Sequence, residues 1–276
     1  MSTVVMDYIL ILKKLFFIVF VTLLITSNDS FAQSEQLNQK PNFIVIFNDD
    51  PFFIYLPHPM PHVPLYASED FIGRSKAGLY GDVIEEIDWS VGQILKVLDE
   101  LDIDERTMII FTSDNGPWFE GSAGELRERK GGASWEGGFK VPFIVRWPGV
   151  IPPGVTSDAI SMNFDVFTTL LELAGLEIPN DRVIDGKNIM PVLQGSNTSP
   201  HEYLYFFNNE EITAVRSQKW KFVVRSHYRG GLFRFEGERF GEPHYYHPGL
   251  LFNLVKNPEE QFSYTREYPE IVEKML

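Results

Sequence analysis

The stretch Asn42-Phe-Ile-Val-Ile-Phe-Asn-Asp-Asp50 is a short apolar run that ends in two adjacent acids. Such a run, apolar without alternation, reads as a strand of a parallel sheet buried on both faces. Pro51-Phe-Phe-Ile-Tyr-Leu56 follows at once as a second run of the same kind, with no turn, helix or loop between the two. Further along, apolar residues at Val83, Ile87, Val91, Ile94, Leu95 and Leu98 recur at helical spacing and predict a helix over residues 79–101. Residues 107–112 predict another buried strand, which ends in Ser113-Asp114-Asn115-Gly116. Residues 143–147 predict a further strand before the turn at Pro148-Gly149, and residues 164–175 a helix that a glycine stops. Strand, long helix, strand implies a crossover connection. The body is therefore α/β, with a mainly parallel or mixed central sheet and flanking helices.

Beyond residue 200 the texture changes. Ala214-Val-Arg216, Trp220-Lys-Phe-Val-Val224 and Leu250-Leu-Phe-Asn-Leu254 are short runs separated by polar, glycine-rich turns. They predict a small antiparallel sheet, with a terminal helix over residues 269–276. At the other end, Lys13-Lys14 precede an 11-residue apolar run, residues 15–25, and Ser30-Phe31-Ala32 follows a polar stretch. That order reads as a secretory signal peptide cleaved after Ala32, and 11 residues are too few for a membrane anchor. The expected organisation is a leader at 1–32, an α/β domain at 40–200 and an α+β subdomain at 201–276. The mature protein would be exported, periplasmic or extracellular, with no stable membrane anchor.

A composition 44% hydrophobic and 14% aromatic supplies a substantial core. The net charge is −14, and removal of the leader leaves 22 basic against 36 acidic residues. No basic face could dominate a phosphate-binding surface, which excludes nucleic acid as a partner. The sequence contains no cysteine. It therefore has no disulfide framework, thiolate metal site, cysteine nucleophile or lipid-bearing cysteine.

Each residue that could carry chemistry has a plain reading when taken singly. Asp49-Asp50 are turn formers after a strand, and Asp114-Asn115-Gly116 contains a hairpin dipeptide. His62, in the proline-rich loop His58-Pro-Met-Pro-His-Val-Pro64, is a surface histidine. Lys130, in Arg127-Glu-Arg-Lys-Gly-Gly132, is part of a solvated loop. Together they change character. Both acidic pairs follow strand ends, where open α/β sheets bind ligands. Three carboxylates and one amide oxygen form a hard, all-oxygen set that suits Ca²⁺ or Mg²⁺ rather than Zn²⁺. A nearby Lys and His add cationic and proton-donating groups, as an anionic substrate with a poor leaving group requires. The implied chemistry is hydrolysis of a sulfate or phosphate ester.

Lys40-Pro-Asn-Phe-Ile-Val-Ile-Phe-Asn-Asp-Asp50, Pro51-Phe-Phe-Ile-Tyr-Leu-Pro-His58 and His62-Val-Pro64 resemble segments of the type I sulfatases of the alkaline phosphatase superfamily. So do Gly81-Asp-Val-Ile-Glu-Glu-Ile-Asp88, Phe111-Thr-Ser-Asp-Asn-Gly-Pro117 and the block from Lys130-Gly131 through Trp135-Glu-Gly-Gly138. Asp185-Gly186, Trp220-Lys221 and Leu251-Phe-Asn-Leu-Val-Lys-Asn-Pro-Glu259 complete the likeness, in order along nearly the whole mature chain. The resemblance implies an alkaline phosphatase-like fold and calcium ligands at Asp49, Asp50, Asp114 and Asn115, with Mg²⁺ as the other hard cation. It implies that His62 protonates the leaving oxygen and that Lys130 binds a sulfate oxygen.

The family places a long segment between its Asp-Asp pair and its Pro-Phe-Phe run. That segment carries a Cys- or Ser-x-Pro-x-Arg motif, whose Cys or Ser becomes the formylglycine nucleophile, and a Gly-Lys-Trp-His stretch. Here Asp50 adjoins Pro51, and no proline is followed two positions later by arginine. The expectation is a sulfatase-family sulfuric ester hydrolase, arylsulfatase-like or acting on a sulfated glycan, that is inactive as written. The alternatives are a secreted metal- or anion-binding pseudoenzyme and a phosphate-ester hydrolase of the same superfamily.

Overall fold

The long helical pattern is realised as α1, Gly78–Glu100. The computed structural model describes residues 51–132, 134–208, 210–228, 244–246 and 249–276. The leader, the run at 43–47 and the acids Asp49 and Asp50 lie outside the described residues. The chain divides into Met1–Pro59, of which 51–59 are described, and Met60–Leu276.

Val83 of α1 packs with Ala67 and Phe71, and Met60, Leu65 and Ile87 close around them. Asp82, buried on the same helix, accepts the Gly73 N–H at 2.9 Å and the Ser75 N–H at 2.7 Å. These two bonds fold the preceding turn back on the helix and hold the Asp82 carboxyl below the usual carboxylate range, Ser75 contributing most. At the other end the Ile103 N–H reaches the Leu98 carbonyl at 3.1 Å, while Asp102 takes the left-handed conformation at φ 53°. That is a Schellman-type stop built on an aspartate rather than a glycine.

β1, Ile109–Thr112, and β2, Phe143–Arg146, pair antiparallel, with Ile109 opposite Arg146 and Thr112 opposite Phe143. An antiparallel pair is what the mixed form of the expected sheet allows, and the pattern alone did not say where it would fall. The reason lies in the connection. Gly116, just past β1, donates to the carbonyl of Gly138, just before β2, at 2.9 Å. The chain thus leaves and re-enters at one end, and among the described residues between them the four-residue helix α2, Glu136–Phe139, is the one regular element. Residues 52–56, expected as a strand, form none among the described residues, and all five side chains are exposed. An apolar run becomes a strand only where an edge receives it, and Pro51 and Pro57 remove donors at both of its ends.

α3, Asp165–Leu173, ends as anticipated at Gly175, whose φ is 69°. Asp165 is fully buried and accepts the backbone N–H groups of Met162 (2.7 Å) and Lys187 (2.8 Å). The ring Nε2 of His201 lies 2.8 and 2.9 Å from its two oxygens. Gly186 passes so close to α3 that a Cβ there would stand 2.6 Å from the Phe164 carbonyl. The Asp185-Gly186 pair therefore marks a close crossing of the chain over α3. α4, Met190–Leu193, is a single turn that periodicity could not reveal.

The C-terminal strands β3 (Leu204–Asn208), β4 (Glu211–Arg216), β5 (Trp220–Val223) and β8 (Leu250–Asn253) form one antiparallel sheet in that order. β6, Ser226–Tyr228, and β7, His244–Tyr246, pair separately. Trp135, Phe206, Ala214, Val223, Phe252 and Leu254 pack on one face of the four-stranded sheet. Val215, Phe222 and Leu251 pack on the other, against Ile271, Val272 and Met275 of α5, Pro269–Met275. Burial on both faces is why these strands read as apolar runs without alternation.

Candidate active site

The end of β1 carries the first candidate residues. The Ser113 hydroxyl donates to the Asn115 carbonyl at 3.1 Å, and the Asn115 side-chain amide donates to an Asp114 carboxylate oxygen. Asn163, just before α3, donates to the Ser113 carbonyl at 2.8 Å and anchors the strand end. Asp114 is exposed and Asn115 half-buried. The Asn-Gly dipeptide is not a hairpin turn here. Gly116 is buried against the 127–138 loop, and a Cβ on it would stand 1.9 Å from the Gly137 carbonyl oxygen. Only glycine allows that approach.

The loop bearing Lys130 is joined to the same turn. The Lys130 N–H donates to the Pro117 carbonyl at 2.9 Å, beside the Gly116–Gly138 bond of equal length. Arg129 donates to the carbonyls of Trp118 (3.5 Å), Phe119 (3.1 Å) and Gly121 (3.0 Å). Arg127 lies over the Trp135 ring, 3.6 Å from its centroid, and donates to the Glu260 carbonyl at 3.1 Å. Lys130 is half-buried, and its ammonium makes no ion pair among the described residues. The structure thus brings Asp114, Asn115 and Lys130 into one stitched pair of loops, with two arginines committed to holding it and one lysine left over.

His62 is exposed, and its Nδ1 donates to the Val63 carbonyl at 2.8 Å, which leaves Nε2 as the outward atom. No hydrogen bond joins it to the Asp114–Lys130 loops among the described residues. Asp49 and Asp50 lie outside them. Asp114 and Asn115 offer oxygen donors, which fits a hard cation. Among the described residues, no three histidine, cysteine or acidic side chains gather as a complete metal site.

Sequence reasoning passed over the ionic cluster beneath this loop. Lys221 of β5 is fully buried on the Trp135 face of the sheet, its Nζ 3.0 Å from Glu136 Oε1 and 2.9 Å from Glu260 Oε1. Glu260 Oε2 accepts the Glu136 N–H at 2.9 Å, and Arg216 Nε lies 3.4 Å from Glu136 Oε1. Burial pushes both carboxyls up. At Glu136 the charges of Lys221 and Arg216 outweigh it and hold the group below its ordinary value. At Glu260 burial prevails over the pull of Lys221, and that carboxyl stands above its ordinary value. The available signal was a lysine inside the apolar run Trp220-Lys-Phe-Val-Val224.

The Sulfatase family matches residues 32–176, and N-sulphoglucosamine sulphohydrolase, C-terminal, matches residues 132–273. The chain belongs to the sulfatase family and has the α/β fold of those proteins. It is 40% identical over 242 residues to steryl-sulfatase of Homo sapiens, an alignment covering 79% of this chain and 42% of that protein. It is 35% identical to N-acetylgalactosamine-6-sulfatase of Canis lupus familiaris, covering 82% and 47%. The PsFucS1 sulfatase structure from Pseudoalteromonas sp. superposes with a TM-score of 0.69 at 27% identity, covering 78% of this chain and 44% of that one. The chain thus spans less than half the length of these relatives. No helix among the described residues is long and apolar enough to cross a membrane.

Proposed function

We infer that this chain carries the cation and sulfate-ester site of a sulfuric ester hydrolase, with Asp49, Asp50, Asp114 and Asn115 as ligands to Ca²⁺, or Mg²⁺ in its place. The observation that carries the reading is the Lys130 ammonium, without an ion pair among the described residues, on the loop stitched to Asp114 and Asn115. Lys130 binds a sulfate oxygen and offsets the charge that builds as the ester bond breaks. His62, protonated at Nε2 with Nδ1 held by the Val63 carbonyl, donates its proton to the leaving oxygen. A hard cation held by Asp49, Asp50, Asp114 and Asn115 would supply positive charge to the sulfate group. The substrate is a sulfate ester of a small molecule or a carbohydrate, as the names of the relatives support. The reading includes export of the chain after removal of residues 1–32, with the α/β domain at 40–200 and the α+β subdomain at 201–276.

The chain contains no cysteine and no Pro-x-Arg sequence, so the family's formylglycine motif has no counterpart between Asp50 and Pro51. Without an activated oxygen, charge stabilisation and protonation have no attack to assist. The chain as written therefore does not turn over an aryl sulfate. The same observation favours a second reading, a secreted metal- or anion-binding pseudoenzyme. The test is hydrolysis of nitrophenyl sulfate by the chain alone, and by a version with a relative's segment grafted between Asp50 and Pro51 and co-expressed with the maturation enzyme. Background rates in the first and turnover in the second support a truncated hydrolase. No turnover in a folded graft favours the pseudoenzyme, and robust hydrolysis by the ungrafted chain overturns the missing-nucleophile argument.

A further inference from the structure

The motif residues Trp135-Glu136 and Trp220-Lys221 lie 85 positions apart in sequence and meet through the Lys221–Glu136 contact. The face of β5 that Lys221 shares is apolar: Val223 and Phe252 flank the side chain, and its Nζ passes 4.3 Å from the Phe206 ring centroid. An ammonium persists there only if it is paired, and one carboxylate would serve that purpose. Lys221 has two, and each is tied onward to the Lys130 loop. Glu136 opens α2, whose Gly138 carbonyl accepts from Gly116. Glu260, held at φ 55°, accepts the Glu136 N–H through its side chain and Arg127 through its carbonyl. Arg127 in turn accepts the Gly137 N–H at 2.9 Å through its own carbonyl.

We propose that Lys221 is a positioning residue for the candidate site: acting through Glu136 and Glu260, it holds the Lys130 loop on the C-terminal sheet and in register with the Asp114–Asn115 turn. The proposal rests on the reading of Lys130, Asp114 and Asn115 as the anion and cation site. It makes the sheet a platform for the chemistry as well as a packed appendage. Lys221 itself, fully buried, touches no substrate.

The experiment is amide hydrogen exchange on the full chain, combined with calorimetric titration of inorganic sulfate, for the unsubstituted protein, Lys221→Met, Glu260→Ala, Lys221→Arg and Lys130→Ala. In Lys221→Met and Glu260→Ala the amides of Gly116, Lys130 and Gly137 lose at least about tenfold protection, while those of α1 and α3 keep theirs. Sulfate affinity falls by a comparable factor. Lys221→Arg retains the buried charge and restores both readouts. Should Lys221→Met not fold, Glu260→Ala decides the matter, because Lys221 keeps Glu136 as its partner there. Unchanged protection at Gly116 and Lys130, or a loss spread evenly over α1 and α3, overturns the positioning role. If Lys130→Ala leaves sulfate binding intact, the site reading falls, and the exchange pattern still judges Lys221 by itself.

Discussion

Replacing Lys221 with methionine removes a buried charge and little volume. Two carboxylates are left facing the position the ammonium held, Glu136 with 7% of its side chain accessible and Glu260 with none. Arg216, 3.4 Å from Glu136 Oε1, remains as the nearest cation. Breaking a buried pair by deleting one partner costs about 3–5 kcal/mol. That is a large share of the roughly 5–15 kcal/mol that separates folded from unfolded chains. In the unsubstituted protein the Glu136 carboxyl is depressed, so its stabilisation is present above its unfolded pKa and disappears as pH falls through the lower folded value. Glu260 has the opposite sign. Its carboxyl is raised, and its ionisation opposes folding as pH rises through the folded value.

Without Lys221 burial raises both carboxyls with less to oppose it, Arg216 and Lys140 alone pulling Glu136 down. The deficit of the variant therefore grows as pH rises, and it fades only as pH falls far enough to protonate the depressed Glu136 carboxyl of the unsubstituted fold. Urea denaturation followed by circular dichroism reads this directly. With a slope of about 3 kcal/mol per molar, the midpoint at neutral pH falls by about 1 M or more. Lys221→Met combined with Glu136→Gln and Glu260→Gln recovers much of that loss. A neutral-pH shift below about 0.3 M, or a deficit that does not change between acid and neutral pH, would refute the reasoning.

Gly116→Ala forces a Cβ against the Gly137 carbonyl backbone. It is expected to cost about 1–3 kcal/mol and to weaken calcium binding, because the Asp114 turn must lift from the 127–138 loop; unaltered calorimetry would show that the close approach is immaterial. The unsubstituted chain is expected to bind calcium in a calorimetric titration and Asp114→Ala not to, and equal binding in both removes Asp114 from the ligand set. Asp82 has a depressed carboxyl, so its stabilisation is present above its unfolded pKa and is lost as pH falls through the folded value. Asp82→Asn should therefore lower the thermal midpoint at neutral pH and leave it nearly unchanged in strong acid. Trp135→Ala removes a ring that packs on Phe252 and donates to the Ser226 hydroxyl at 3.0 Å. A loss of about 3–5 kcal/mol in a urea titration is expected.

The sequence by itself determined the elements whose signals are local and repeated. α1 and α3 are legible because apolar residues recur along a turn of the chain, and Gly175 stops α3 where only a positive φ fits. β4, β5, β8 and α5 were equally plain. So was the family, through motifs that lie in order along the chain and the Sulfatase match over residues 32–176. The residue types of the candidate site, with carboxylates and an amide at strand ends and a lysine in a glycine-rich loop, are legible in sequence as a set suited to a hard cation and an anionic ester.

Only the tertiary structure decided how those pieces meet. Periodicity reports burial and not the partner, so it could not say that β1 and β2 run antiparallel or that residues 52–56 form no strand among the described residues. It could not distinguish Asn115-Gly116 as a hairpin turn from Gly116 as the point where two backbones touch, because that choice depends on the Gly137 carbonyl 21 positions away. Nor could it tell Lys221, a lysine in an apolar run, from a surface residue at a strand edge. Its role rests on Glu136 and Glu260, which lie far from it in sequence. In a low-dielectric interior the cost of an ionised group is set by the partners that surround it, and only the folded chain supplies them.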